Sequence, residues 1–260
     1  MSATPGRTTV DSYDNNLLSN MFGNKLITID ASILNQVNLG RLQALNAIAE
    51  ENIIAYFQRR HILSKIRTQR LQYQTEFSEA DLRKLNQAIQ EMDFEDADYT
   101  PAQLKILASN ADRNRVIMEK LMVLNNEEVP TIVFACSVNH AKMLSAMLTV
   151  EGIPNSLVIG ELDPVTRKRA IDTFKDRTNN VNIIINYEVL TTGFDSKNIR
   201  CVFITRPTKS VVLYSQMLGR GLRGPLMGGN EECLLIDVDD NLNVFNNENA
   251  FTHFNDYWRV

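Results

Sequence analysis

The sequence predicts an α/β fold, a doubly wound parallel sheet in the second half preceded by a mainly helical insertion. Three observations carry this. From residue 130 onward, short apolar, β-rich runs alternate with stretches of helical periodicity. Those strand runs are continuously apolar rather than alternating, as parallel strands covered on both faces require, and right-handed crossovers then place helices on both sides. Before residue 130, stripes of helical spacing dominate instead.

Taken in order, "TIVFAC" (131–136) is the first strand of the alternating part. "NHAKMLSAMLTV" follows as a helix, with Ala141, Leu144 and Leu148 on one face and Gly152 past its end. "SLVI" (156–159) is the next strand. Asp163 and Pro164 start a helix that turns Ile171 and Phe174 inward. "VNIII" (181–185) and "RCVFIT" (200–205) are the third and fourth strands, and Ser210 caps a helix through about Leu218. "ECLLIDV" (232–238) is the fifth strand. Upstream, residues 43–51 read as helix and "NIIAYFQ" (52–58) can form a strand. "SEADLRKLNQAIQEM" opens with capping residues Ser78 and Asp81 and carries Leu82, Leu85, Ile89 and Met92 on one stripe. Residues 93–100 read as an acidic loop. Thr100-Pro101 starts a further helix, and 111–124 another. The expected division is a stub and linker over 1–30, a mainly helical insertion over 31–129, the α/β domain over 130–245 and a tail over 246–260.

Composition narrows the function. Of 260 residues, 44% are apolar, enough for a buried core, and no apolar run approaches a membrane span. The first residues have no secretory-signal pattern, and Cys136, Cys201 and Cys233 are spaced for neither a metal site nor a disulfide framework. Buried reduced thiols and a cytoplasmic location are the expectation. The net charge of −4 excludes a generic basic nucleic-acid binder. Yet residues 160–224 hold 11 Lys/Arg against 6 Asp/Glu, while 225–260 hold 1 against 7, which points to an anionic ligand in the basic segment.

The strongest motif lies there, "QMLGRGLRG" (216–224). Arg220 and Arg223 are three apart and, on one helical turn, point the same way; two guanidinium forks suit a polyphosphate and the charge on a transferring phosphoryl group. Salt-bridged surface arginines are the plainer alternative. "VLTTGFD" (189–195) offers Thr191 and Thr192 as phosphate contacts, Gly193 for a positive φ, and Asp195 for a ribose hydroxyl or an arginine; a simple turn also fits. In "GELDPVTRKRAIDTF" (160–174), Arg167, Lys168 and Arg169 suit either a nucleic-acid backbone or solvent. In "FACSVNHA" (134–141), Ser137, Asn139 and His140 sit where helix N–H groups attract an anion, or simply cap the helix. His140 has no metal-ligand spacing. "QRRHILSKIRTQR" (58–70) carries five Lys/Arg and no acid; it reads as the wet face of a helix or a nucleic-acid contact.

In this order the segments resemble the second RecA-like domain of superfamily 2 helicases and translocases. "FACS" resembles motif IV, the Arg167 to Phe174 stretch the signature that follows it, "TTGFD" motif V and "QMLGRGLR" motif VI; "SATP" (2–5) is similar to motif III. The wording of "TTGFD", "RPT" and "QMLGRGLRG" is closer to the DNA-repair and restriction-subunit branch than to the DEAD-box RNA helicases, whose usual Arg-Gly-x-Asp and His-Arg are replaced here by Thr192 and Gln216. The resemblance implies a RecA-like domain closing over ATP and Mg2+ held mainly by a first RecA-like domain, in cis or on a partner chain. Arg220 and Arg223 are then arginine fingers, with Gln216, Gly219, Gly193 and Asp195 at the nucleotide. Ser137, Asn139, Arg167, Thr191 and Thr192 hold a nucleic-acid strand, DNA favoured over RNA, and Ser2, Ala3 and Thr4 couple the two halves. No G-x-x-x-x-G-K-[ST] loop and no Asp-Glu pair of the Walker B kind is present, so the chain is expected to be a helicase fragment inactive alone, with no metal ligands and no membrane partner. A stand-alone adaptor module, or a split enzyme completed by another chain, remain the alternatives.

Overall fold

A computed structural model describes residues 57–73, 83, 98–191, 193–208, 210–238 and 240. Its centre is a six-stranded, all-parallel sheet. The strands are β1 (Lys65–Leu71), β2 (Thr131–Phe134), β3 (Asn155–Val158), β4 (Ile183–Asn186), β5 (Cys201–Ile204) and β6 (Glu232–Val238), in the order β1-β6-β5-β2-β4-β3. The three central strands β2, β4 and β5 are buried at every position, which is why each is a continuous apolar run save the buried Thr131 and Asn186. Asn186 is satisfied, donating to the Val133 carbonyl and accepting from the Leu190 N–H.

Helices cover both faces. On one lie α2 (Ala111–Asn126) and α3 (Val138–Val150), which bury Ile117, Leu121 and Leu124, and Ala141, Leu144 and Leu148, against Val133, Ile183, Ile185 and Phe203. On the other lie α4 (Pro164–Lys175) and α5 (Val211–Leu218), with Phe174, Tyr214, Met217 and Leu218 against Ile132, Phe134, Ile184 and Val202. Alternate residues of each strand therefore serve opposite cores, and the doubly wound RecA-like α/β fold expected from the sequence is present. α1 (Pro101–Ser109) forms a smaller third cluster with Tyr99 and Cys136.

The helix starts follow their cap residues. Thr100 and Gln103 form a reciprocal capping box ahead of Pro101, and Asn110, Ser137, Asp163 and Ser210 cap α2 to α5 through side-chain oxygens. Cys136, Cys201 and Cys233 are free and buried.

Two upstream expectations differ from the structure. The run at 58–70 is not a wet helix: after a short helical turn at 57–59 it becomes β1, an edge strand in parallel register with β6 from Lys65↔Glu232 to Leu71↔Val238. As an edge strand it is half-exposed throughout, so it lacks the continuous apolar signature of its neighbours. The boundary placed at 130 also falls inside the domain, because α2 packs into the same core as β2 and β5. The strand suggested at 52–58 lies mostly outside the described residues, as do Ser2, Ala3, Thr4 and Thr192; its described end, Phe57 and Gln58, is helical.

Candidate functional site

The two strongest motifs meet at the amino edge of the sheet. α5 ends at Leu218 and Gly219 caps it, so Arg220 and Arg223 do not share a helical turn; they lie on the turn and bridge beyond it. They nevertheless converge. Arg220 donates through Nε to the Gln216 carbonyl at 3.2 Å and through Nη1 to the carbonyl of Phe194. Arg223 Nη2 pairs with Asp195 Oδ1 at 2.6 Å, with the two side chains 30% and 63% exposed. Burial lowers the Arg220 guanidinium from its ordinary value, opposed by the Asp195 carboxylate. Gly193 has φ +67°, and a Cβ there would meet nothing within 4 Å: backbone conformation requires the glycine and leaves space beside it. Gly221 is required for the opposite reason, since a Cβ would lie 2.3 Å from Cys233 Sγ and 2.7 Å from Val202 Cγ2. That contact, with the Arg223 carbonyl accepting from Ser64 Oγ and the Asn230 N–H just before β1 and β6, fixes the turn at the strands' amino ends.

The remaining described candidates lie around the carboxyl edge. Ser137 Oγ accepts from the His140 N–H, which is a helix cap, and Asn139 is exposed in the first turn of α3. Arg167 Nη2 donates to the Gly160 and Leu162 carbonyls, both at 3.0 Å, so it ties down the β3–α4 loop. Thr191 Oγ1 donates to the Glu188 carbonyl at 2.7 Å. The segment 187–195 thus runs from the end of β4 at one edge to the arginine turn at the other. The candidates form two groups at opposite ends of the strands, not one cluster at the carboxyl ends.

Two carboxyl-edge features escaped sequence reasoning. Arg206, the arginine of "RPT", pairs Nη1 with Glu188 Oε1 at 2.7 Å and lies 3.9 Å from Asp98, with its guanidinium 5.6 Å from the centre of the Tyr187 ring. Glu188 itself has φ +59°. Deeper, Arg113 is completely buried. It donates through Nε and Nη2 to both Asp240 oxygens (2.6 and 3.0 Å) and through Nη2 to the Thr205 carbonyl. Asp240 also accepts from Tyr73 Oη. Burial alone lowers the Arg113 pKa; the Asp240 charge overrides it and holds the group above its ordinary value. Beside it, His140 Nδ1 accepts from the Cys136 N–H and Nε2 faces Asn114 Oδ1 at 3.1 Å, and burial, with Arg113 adding, pushes this imidazole down to about 3. A neutral ring with both nitrogens engaged is a structural group. Only the apolar context of Cys136 and His140 hinted at it; the pairing of Arg113 with a residue 127 positions away had no local signal.

Among the described residues no group of three or more His, Cys, Asp or Glu could hold a metal, and no helix is long and apolar enough to cross a membrane.

Comparison with known proteins decides the family. The model named Helicase conserved C-terminal domain matches residues 112–224, from the start of α2 to the end of the arginine turn. This region is a superfamily 2 helicase C-terminal domain. The IRC3 protein of Saccharomyces cerevisiae, named for an ATP-dependent helicase, is 30% identical over 142 residues, 54% of this chain and 20% of its own length. The mitochondrial helicase-named irc3 of Schizosaccharomyces pombe is 38% identical over 112 residues, 43% of this chain and 18% of its own length. The ATP-dependent DNA helicase uvsW of Enterobacteria phage T4 is 27% identical over 121 residues, 46% and 24% of the two chains. The helicase C-terminal domain described here thus comes from a chain that spans about a fifth of the length of these relatives. Among solved structures, a fragment of an HsdR-type restriction-enzyme subunit from Vibrio vulnificus YJ016 has a TM-score of 0.49 at 19% identity, covering 71% of this chain and 33% of that one. Dbp5 of S. cerevisiae has a TM-score of 0.46 at 23% identity, covering 57% and 37%.

Proposed function

We propose that this domain is the arginine-bearing half of an ATP-dependent helicase or translocase. It closes over a nucleotide held by a phosphate-loop domain and contacts a nucleic-acid strand at its carboxyl edge. The observation that carries the reading is the convergence of Arg220 and Arg223 on Phe194 and Asp195. Two positively charged, part-exposed guanidinium groups, each steadied by a single oxygen of the 193–195 segment, retain free donors for phosphate oxygens. This donor set fits a polyphosphate and does not fit Mg2+, whose ligands would be the phosphates and the other domain. Bound ATP supplies the phosphoryl group whose transfer to water drives the cycle.

The chain's own residues do the following. Gln216 and Gly219 set the approach of the arginine turn, Arg220 and Arg223 offset charge on the phosphate oxygens, and Asp195 orients Arg223 until closure. Gly193 leaves room for that approach. Ser137, Asn139, Arg167, Thr191 and Thr192 hold the strand through its backbone, with little base reading. Because the 187–195 segment joins the two edges, opening and closing at the nucleotide shifts the strand contacts. DNA is the favoured strand on the wording of "TTGFD", "RPT" and "QMLGRGLRG".

The 260 residues contain no phosphate loop, so the purified chain should hydrolyse no ATP above buffer background while still binding single-stranded DNA more tightly than RNA of the same sequence. Robust turnover by the chain alone, or no preference between the strands, contradicts the corresponding part of the reading. An adaptor role is the second reading; it is favoured if the chain never restores turnover to a phosphate-loop domain.

A further inference from the structure

We infer that Arg206 is an exchange point, where the carboxylate of Glu188 occupies the place of a nucleic-acid phosphate and is displaced by it. The inference rests on the proposed nucleic-acid reading and adds a residue and a switching step to it. Arg206 lies two residues beyond β5 and Glu188 two beyond β4, and β2 runs between those strands. Their 2.7 Å ion pair therefore crosses the end of β2, where the chain enters the N-terminus of the 13-residue helix α3. Burial raises the Cys136 thiol there, and Arg113 and, to a lesser degree, Arg206 act against it, which agrees with that placement. A fixed guanidinium beside a helix N-terminus favours an anion.

The two partners are not equally held. The Arg206 side chain is only 13% exposed, stacked over Tyr187 and near Asp98, while the Glu188 side chain is 54% exposed and forms the outer cover. Glu188 also keeps a left-handed backbone, a conformation that non-glycine residues hold at a cost and that clusters at switch regions. Carboxylate and phosphate present the same paired oxygens to a guanidinium, so one replaces the other without moving Arg206. Displacement has a consequence at a distance. The Glu188 carbonyl holds Thr191 Oγ1, and the chain continues directly to Phe194 and Asp195, which hold Arg220 and Arg223. A strand that takes Arg206 from Glu188 thereby loosens the near end of the segment that steadies the arginine pair.

The test is binding of a single-stranded DNA oligonucleotide to the full 260-residue chain, by fluorescence anisotropy across a salt series. Glu188→Gln removes the internal competitor, and affinity should rise roughly two- to fivefold, the scale of one exposed ion pair. The slope of log affinity against log salt should stay close to wild type, because Arg206 meets the same phosphate in both proteins, whereas Arg206→Ala should flatten it by about 0.7, the loss of one phosphate on a single strand. A gain in binding cannot arise from misfolding. Arg206→Ala should weaken binding, and in Glu188→Gln/Arg206→Ala the gain should vanish. An equal gain in the Arg206→Ala background, or wild-type binding that Glu188→Gln leaves unchanged, overturns the exchange while leaving the nucleic-acid reading intact. No binding by the wild type, Arg167→Ala being the same, contradicts that reading and this inference with it.

Discussion

Two arginine–aspartate pairs, Arg113–Asp240 and Arg223–Asp195, have the same 2.6 Å separation and opposite environments. The first has side chains 0% and 2% exposed and ties α2 to the chain beyond β5 and β6 at the carboxyl edge. The second is open to solvent at the amino edge, where the motif arginines gather. Length alone does not separate them; desolvation does. The buried pair has given up its water, so each charge depends on the other, and removing one leaves an uncompensated ion. The exposed pair keeps its hydration and is held weakly, which leaves the guanidinium free to take a new anion. A locked ion pair and an exchangeable one thus follow from the same chemistry at different depths.

That contrast can be broken at several points. Arg113→Ala strands the Asp240 carboxylate and should destabilise the domain by about 3–5 kcal/mol in urea unfolding, whereas Arg113→Met with Asp240→Leu should recover most of the loss. If the single change costs no more than a surface substitution, the pair is not the clamp described. Titration gives a subtler handle. His140 is pushed down to about 3 while its unfolded value is near 6.5. Its contribution is therefore complete above about 6.5 and lost as pH falls toward 3, because only the unfolded chain takes the proton. Asp237 is pushed up to about 7, by burial first and then by Asp240, so it favours the folded state at low pH and loses that contribution between about 4 and 7. The two slopes oppose one another. Asp237→Asn should unmask a loss of stability as pH drops from 6.5 to 4, and adding His140→Gln should remove it; a profile indifferent to both changes would refute the assignment.

Packing supplies a smaller effect. Gly221→Ala pushes a methyl into Cys233 and Val202 and should cost about 1–3 kcal/mol, more than Ala at the exposed, helix-ending Gly219. Smallest is Asp195→Asn, which removes a solvent-exposed partner and should change stability by less than about 1 kcal/mol. A larger loss would move Arg223 into the same class as Arg113.

What the sequence revealed divides along the same line. The central strands were legible because full burial on both faces leaves an apolar run, and helix starts were legible because Thr100, Ser137, Asp163 and Ser210 cap locally. β1 was not, because a half-exposed edge strand reads as a charged run. The motif residues 193–195 and 216–223 stood out by residue type, but their meeting at the amino edge depends on α5 running back along the sheet, a tertiary fact. Arg113 with Asp240, and Arg206 with Glu188, are pairings between distant segments, for which a single sequence has no signal.

The central claim is that the amino-edge arginines serve chemistry and not stability. It is tested most directly by measuring ATP turnover and thermal stability together for Arg220→Ala, in this chain combined with a phosphate-loop helicase domain. The account predicts turnover reduced on the order of 10³-fold or more, nucleic-acid binding largely kept, and a melting temperature within a few degrees of wild type. Unchanged turnover, or a loss that merely follows unfolding, would contradict it.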